Sequence, residues 1–392
     1  MNDDQTRRRL SAFRMQFAIP MTFFFLFFGI GAIQPFVVPY LRNELGMSAL
    51  KASSIIGVLY LVFGIARFFT RYLIRLIEKR NTIILGAAGY LCLPISLSLG
   101  GSYAVYMLGA VLIGLGAALV WTASSVQVLD TSESKSYGAA SGVMYFFVQA
   151  GISLGTIMAG AIAAWTGNYL RVFQVSSFVG VLAILSALLV PQVRSKFVDD
   201  RWSVAFRFFK KPANWFPPAV LAISFSTYGI MLTMFNQHAA TTFGPGRLAL
   251  FHTCYLLTGM ASAYIGGRLS DRIGRTQVVA LSLLGGAIGL AIFGLVKIAP
   301  LFVLGAILVG SSGAIPTVAL AWVGDNSTEA ERPTIHACVF AWRDFGFVGV
   351  TYLGVLLQGE KLPLQSCFLV FSAVFLAAAV LSGVLASREN PR

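Results

Sequence analysis

Arg343 and Asp344 are adjacent ionisable residues in the middle of an apolar segment, ACVFAWRDFGFVGVTYLGVLL. Charged side chains are costly at bilayer depth, and they usually mark the pathway of an ion or a substrate. A carboxylate there can exchange a proton, and a guanidinium can bind an anionic group. A structural ion pair that fixes two helices is the alternative interpretation. Neighbouring helical residues point about 100° apart, so we expect each of the two to have a partner besides the other.

Further polar side chains fall near the middle of other apolar runs or beside prolines, which free backbone carbonyls. Together they indicate a polar seam that could line a ligand site. Taken singly, each is also explained by a hydrogen bond between helices, a common role for such residues in membranes. With Arg343 and Asp344, the candidates for substrate binding or coupling are Gln149, Tyr145, Gln34, Tyr228, Tyr255 and Trp121.

The composition places these residues in a membrane protein. Of the 392 residues, 57% are hydrophobic and 11% are charged, whereas soluble domains are about 25% charged. Apolar runs of about 20 residues, the length that crosses a bilayer as a helix, recur along the whole chain. We therefore predict an all-α membrane protein with twelve spans. They lie near 15–41, 52–74, 82–100, 103–128, 138–164, 171–191, 215–238, 247–269, 276–295, 299–323, 333–357 and 362–387.

Lys and Arg predict the orientation, because cytoplasmic loops are enriched in both. Most of the 29 basic residues are assigned to one side, in the short loops between spans, among them Arg67, Arg71 and Lys79 around the end of span 2. The other side carries only Arg42, Lys51, Arg171, Arg247, Lys297 and Lys361. We predict that both termini are cytoplasmic and that the chain lies in the cell inner membrane. No cleavable signal peptide is expected at its polar, basic start.

A basic segment bounded by prolines divides the chain into halves of six predicted spans each. We predict an N-terminal six-helix bundle at 1–190, a cytoplasmic linker at 191–214 and a C-terminal six-helix bundle at 215–392. Within the linker, cations alternate with aromatic residues in RWSVAFRFFKK. This pattern is typical of an amphipathic segment on an anionic membrane surface, and we expect no binding to nucleic acid.

The two halves resemble each other at an offset of 195 residues. The offset aligns Asp130 with Asp325, Gln149 with Asp344, and Gly151 with Gly346. Parallel repeats of six spans are typical of transporters whose substrate path runs between two bundles. The repeat therefore predicts two pseudosymmetric bundles.

The loop after span 8 reads IGGRLSDRIGRTQ. Its glycines allow close packing and a positive φ, and its acidic residue can interact with a helix N-terminus. It resembles the G-x-x-x-D-R-x-G-R loop signature of the major facilitator superfamily, and the resemblance covers the whole chain. The signature falls on Gly267, Asp271, Arg272, Gly274 and Arg275. The resemblance implies a secondary transporter in which two six-helix bundles rock around a central cavity.

Other signatures of the family are altered in this chain. Span 5 keeps the glycine spacing of the family's antiporters over 142–160, but Thr156 replaces the proline. Ala110 stands where proton-coupled drug exporters of the family often have an arginine, and Arg75 stands where the loop after span 2 would have an acidic residue. These departures weaken a direct transfer of the drug-antiporter mechanism and leave the fold expectation intact.

A charge contrast between two loops suggests a gate. The loop between spans 2 and 3 is basic, and the loop between spans 10 and 11 is acidic. Pseudosymmetry places these loops opposite each other, so we predict that contacts such as Arg75 with Glu331 close the cytoplasmic side. Exposed pairs are worth only about 0–1 kcal/mol each, which suits a gate that must open. Charges that merely follow the topology are the alternative.

The resemblance implies a transporter and not an enzyme. We expect it to move a small organic solute by alternating access, coupled to protons through Asp344, and the span 5 glycines favour export. The alternatives are a proton-coupled uptake symporter of an organic anion, and a lipid flippase or a substrate sensor on the same fold. We expect a monomer in the lipid bilayer without cofactors. The scattered cysteines and the lack of a GxxxxGK[ST] loop predict no metal site and no ATP site.

Overall fold

A computed structural model describes residues 17–193, 201–243, 247–359 and 363–389, which are almost entirely helical and contain no strand. A helix satisfies its own backbone hydrogen bonds, so apolar runs of this length are stable as helices in lipid. The helices of the first half are Phe17–Arg42, Ala49–Tyr90, Cys92–Leu99, Tyr103–Asp130, Tyr137–Thr166 and Tyr169–Leu188.

The second half begins with a short helix in the predicted linker, Trp202–Phe209. The spanning helices follow, and spans 7 and 10 each contain a local change of helix type. They are Phe216–Ile230, continued by a π-helical turn at Met231–Phe235 and by Asn236–Phe243; Leu248–Ile273; Arg275–Leu295; Ala299–Gly310, continued by a 3-10 turn at Ser311–Gly313 and by Ala314–Asp325; Arg332–Gly359; and Leu364–Glu389.

Every predicted span therefore coincides with a helical region. Among the described residues, eight helical segments are long and apolar enough to cross a membrane by length and composition. One of the eight, Lys51–Leu99, contains predicted spans 2 and 3, and the helices of spans 7, 8 and 11 are not among the eight. Span 11 carries Arg343 and Asp344, which lower its mean hydropathy.

The helix Ala49–Tyr90 contains a single break at Glu78, where φ is 66° and ψ is 167°. A positive φ is uncommon for a residue other than glycine and needs support from its surroundings. Here the side chain of Gln192 donates to the Glu78 carboxylate, and Arg80 Nη2 donates to the Leu188 carbonyl at 2.8 Å. The loop expected between spans 2 and 3 is thus reduced to one non-helical residue that is tied to the end of span 6.

Two compact units are present. The first comprises residues 1–132, 147–206 and 327–338, and the second comprises 133–146, 207–326 and 339–392. The boundaries of these units cut the helices of spans 5 and 11 near their starts. The predicted division into domains at 190 and 215 stays a prediction.

Glycines allow close helix contacts at pseudosymmetric positions in the two units. A Cβ atom on Gly151 would lie 2.6 Å from the carbonyl oxygen of Phe24 in span 1. A Cβ atom on Gly346 would lie 2.7 Å from the Cα atom of Ala222 in span 7. Span 5 therefore packs on span 1 in the same way as span 11 packs on span 7, which supports the internal repeat.

Candidate functional site

Arg343 and Asp344 bond to each other within the second unit. The Arg343 Nε and Nη2 atoms donate to Asp344 Oδ1 at 3.0 and 2.9 Å, and the two residues are 2% and 0% exposed. The guanidinium carbon lies 4.7 Å from the centre of the Phe225 ring in span 7, a cation–π contact. Both residues also make further interactions. The carboxylate is thus enclosed by protein.

An aromatic cluster borders this ion pair. The Tyr228 ring lies 5.7 Å from that of Phe225 and 5.8 Å from that of Phe347. Because Phe225 also contacts Arg343, the structure brings the predicted candidate Tyr228 into the same neighbourhood as the ion pair.

A set of hydroxyl groups joins spans 7, 8 and 10. The Oγ1 atom of Thr227 in span 7 lies 3.2 Å from the Oγ atom of Ser312 in span 10, and Ser262 Oγ in span 8 donates to the Gly310 carbonyl in span 10 at 3.1 Å. Tyr255 is 8% exposed. A role for Tyr255 in binding or coupling stays a prediction.

Gln34 and Trp121 make hydrogen bonds between helices of the first unit. Tyr60 donates to Gln34 Oε1 at 2.9 Å, and Trp121 Nε1 donates to the hydroxyl of Tyr90 at 3.1 Å. The Trp121 ring also packs on Phe23, with 4.6 Å between ring centres. Sequence reasoning missed Tyr60 and Tyr90, because a tyrosine within an apolar run gives no signal of its partner.

Tyr145 and Gln149 occupy the middle of span 5. Tyr145 is 5% exposed, whereas Gln149 is half-buried and its backbone carbonyl accepts a hydrogen bond from Ser153 at 2.8 Å. A role for either residue in binding or coupling stays a prediction.

The loop signature after span 8 fixes the start of the span 5 helix. The Asp271 carboxylate accepts hydrogen bonds from the backbone N–H groups of Gly138 at 3.0 Å and Ala139 at 2.8 Å. These N–H groups lack partners within their own helix, so Asp271 caps the helix as its position predicts. Gly274 has a φ of 103° between two helices, a conformation that favours glycine.

The remaining signature residues surround this cap. Arg275 Nη1 donates to Asp271 at 2.5 Å and Nε donates to Asp325 at 2.9 Å. A Cβ atom on Gly267 would lie 2.9 Å from Thr317 Cγ2, so the glycine is required for close packing. Arg272 is exposed.

A second cluster of charges lies in the first unit around Asp130. Its Oδ2 atom accepts from Lys79 Nζ at 2.6 Å and its Oδ1 atom accepts from Arg332 Nη1 at 2.5 Å. The side chain of Asp130 is 1% exposed. Sequence reasoning identified Asp130 as a marker of the repeat but did not include it in the site. Its alignment with Asp325, which also binds an arginine, is the signal that could have found it.

The predicted contact between Arg75 and Glu331 stays a prediction. The Glu331 carboxylate accepts from the Thr328 hydroxyl at 2.8 Å, within its own loop, and Arg75 is exposed. Both residues also make other interactions.

Three cations that the sequence assigns to loops are buried. Arg67, Arg71 and Lys79 are each 0% exposed. The expectation that they lie in loops is wrong, because all three positions are helical, on either side of the break at Glu78.

Comparison with known proteins identifies the fold. The family model described as "Major Facilitator Superfamily" matches residues 21–244 and again 218–392. The structure of the human organic anion transporter MFSD10 (TETRAN) superposes with a TM-score of 0.74 and 13% identity, covering 94% of this chain and 99% of that one. The proton:xylose symporter XylE superposes with a TM-score of 0.75 and 12% identity, covering 95% of each chain. These matches confirm the predicted fold of twelve helices in two six-helix bundles.

Curated relatives match part of the chain. The tetracycline resistance proteins of classes E and C from Escherichia coli are 31% and 34% identical over 130 residues, or 33% of this chain and 30% and 31% of those proteins. The class G protein from Vibrio anguillarum is 28% identical over 138 residues, 35% of this chain and 33% of that one. The chain thus spans about a third of the length of these relatives.

Proposed function

We propose that this chain, which belongs to the major facilitator superfamily of membrane transporters, exports a small organic solute by alternating access in exchange for protons. One observation carries the proposal: Asp344 is a carboxylate with 0% exposure in the middle of span 11, bonded to Arg343. Ionisable groups at such depth are retained mainly where they take part in transport.

Coupling follows because the solute and a proton compete for the Asp344 carboxylate. A solute that donates hydrogen bonds or a positive charge to Asp344 needs the carboxylate ionised, and a proton on the same oxygen atoms prevents that contact. Alternate binding of solute and proton then gives exchange across the membrane. When neither solute nor proton is bound, the guanidinium of Arg343 donates to the Asp344 carboxylate, as it does in this structure.

The direction of export draws support from the relatives. Proteins named for tetracycline resistance share about a third of the chain, and the span 5 glycine spacing resembles that of the family's antiporters. The inner-membrane location, the cytoplasmic termini and the monomeric state belong to the same proposal.

Uptake by proton symport is the second candidate, and the ion pair itself favours it. When Asp344 is protonated, Arg343 loses its counter-ion and becomes available to an anionic group of a solute. Proton and solute would then bind together rather than in turn. A lipid flippase or a substrate sensor on this fold remains an alternative to both.

Counterflow in proteoliposomes tests the proposal. Liposomes with the purified chain are loaded with unlabelled tetracycline, or with members of a metabolite and drug panel, and uptake of the labelled compound is followed with and without a pH gradient. Exchange for protons predicts that the solute moves in the direction opposite to the flow of protons. Symport predicts that the solute moves in the same direction as the protons. Absence of counterflow for every compound, with phospholipid movement instead, would contradict both transport modes.

A further inference from the structure

Arg71 is a buried guanidinium in the last predicted turn of span 2, within the first unit. Its guanidinium carbon lies 3.8 Å from the centre of the Trp202 ring and 4.8 Å from that of Tyr72, and Nη2 donates to the Tyr72 hydroxyl at 3.0 Å. The Nε and Nη1 atoms have no hydrogen-bond partner. Among the described residues, no carboxylate forms an ion pair with Arg71.

This arrangement leaves the charge only partly compensated. Stacking on an aromatic ring stabilises a desolvated cation. A buried donor without an acceptor destabilises the protein, and the cost is greater when the group is charged. Burial of the ion itself costs further free energy, which a counter-ion normally offsets. An anion that accepts from the N–H groups of Nε and Nη1 would supply the missing compensation.

Arg67 adds a second cation on the same face of the helix. It precedes Arg71 by four positions, so the two side chains are neighbours. Arg67 is also 0% exposed, and its guanidinium carbon lies 4.2 Å from the centre of the Phe63 ring. A second positive charge on the same helix face makes the electrostatic potential at Arg71 more positive.

We propose that Arg71, assisted by Arg67, binds the anionic group of the transported solute at the predicted cytoplasmic end of span 2. The rings of Trp202 and Tyr72 would contact the apolar part of the same molecule. This inference rests on the proposed transport function and specifies its substrate class: an organic solute that carries a carboxylate or phosphate group. Arg343, in the other unit, is a separate cation and is not required for this site.

The test measures binding to the purified full chain in nanodiscs of zwitterionic lipid. Benzoate and phenyl phosphate are titrated while the unfolding temperature is followed, and benzamide serves as the neutral match. We expect both anions to stabilise the protein and benzamide to leave it unchanged. Arg71→Gln should weaken the apparent affinity for the anions at least tenfold. The control Arg207→Gln removes an exposed cation and should stay within twofold of the unsubstituted protein.

Several results would overturn the assignment. Equal stabilisation by benzamide and benzoate, or anion affinity in Arg71→Gln equal to that of the unsubstituted chain, rejects an anion site at Arg71. Stabilisation by phosphatidylglycerol in the nanodisc, without any effect of the soluble anions, assigns the position to a lipid headgroup instead. If Arg71→Gln does not fold, Arg71→Lys is tested in its place. Lysine keeps the charge but has fewer hydrogen-bond donors, so this variant should bind the anions more weakly than the unsubstituted chain.

A transport measurement distinguishes failure of the Arg71 site from failure of the proposed function. Solute counterflow by the unsubstituted chain, combined with no preference for anions, would reject the Arg71 site alone. Anion binding without transport of any compound would reject the proposed function and leave the site in place.

Discussion

Arg332 donates to Asp130 at 2.5 Å, although 202 positions separate the two residues in the chain. Asp130 ends the helix of span 4, and Arg332 begins the helix of span 11. The second oxygen of Asp130 accepts from Lys79, next to the break at Glu78. One carboxylate therefore ties together the ends of three helices, on the side that we predict to be cytoplasmic.

Replacement of Asp130 by asparagine should strongly destabilise the protein. Lys79 is 0% exposed, and removal of one partner from a buried ion pair costs about 3–5 kcal/mol. The aligned residue Asp325 has a side chain that is 33% exposed where it binds Arg275, so Asp325→Asn should cost about 0–1 kcal/mol. Thermal unfolding of the two variants in the same detergent measures the difference. Equal decreases in unfolding temperature would contradict the importance of burial at Asp130.

Asp271→Ala should destabilise the protein more than Asp271→Asn. Loss of a side chain that caps a helix N-terminus costs about 0.5–2 kcal/mol, and Asp271 accepts from both Gly138 and Ala139. Asparagine retains one oxygen acceptor but loses the charge that binds Arg275. Unfolding temperatures of the two variants test the order. An unfolding temperature of Asp271→Ala equal to that of the unsubstituted protein would show that the cap does not contribute to stability.

Gly346→Ala should be disruptive, whereas Gly349→Ala should be tolerated. A Cβ atom on Gly346 would collide with the backbone of Ala222, but nothing lies within 4 Å of a Cβ atom on Gly349. Overpacking of this kind costs about 1–3 kcal/mol. The yield of monodisperse protein and its unfolding temperature measure both effects. If the two variants behave alike, spans 7 and 11 do not pack as closely as described.

The sequence predicts those parts of the fold that depend on local pattern. The length of an apolar run determines whether it can span a membrane, and each predicted span is helical where the structure describes it. The capping role of Asp271 could also be predicted from the sequence, because the spacing of glycine and acid in its loop is a local property. The repeat identified Gly151 and Gly346 as equivalent positions, and the structure gives both the same packing role.

Contacts between segments that are distant in the chain could not be predicted from the sequence. Nothing in the neighbourhood of Asp130 indicates that Arg332 binds it, since the contact depends on how helices far apart in sequence meet. The burial of Arg67 and Arg71 was missed for a different reason. Hydropathy assigns an arginine near the end of a span to the adjacent loop, but here both positions are helical and both side chains are buried.

The pH response of the Asp344→Asn variant tests the central claim most directly. An amide cannot exchange a proton but keeps one oxygen acceptor, so we predict that the variant in proteoliposomes retains weakened solute counterflow and loses the acceleration by a pH gradient. Retained counterflow also shows that the variant is folded. The control Glu329→Gln neutralises an exposed carboxylate and should respond to the gradient like the unsubstituted chain. An Asp344→Asn variant whose flux still responds fully to the pH gradient would contradict the account.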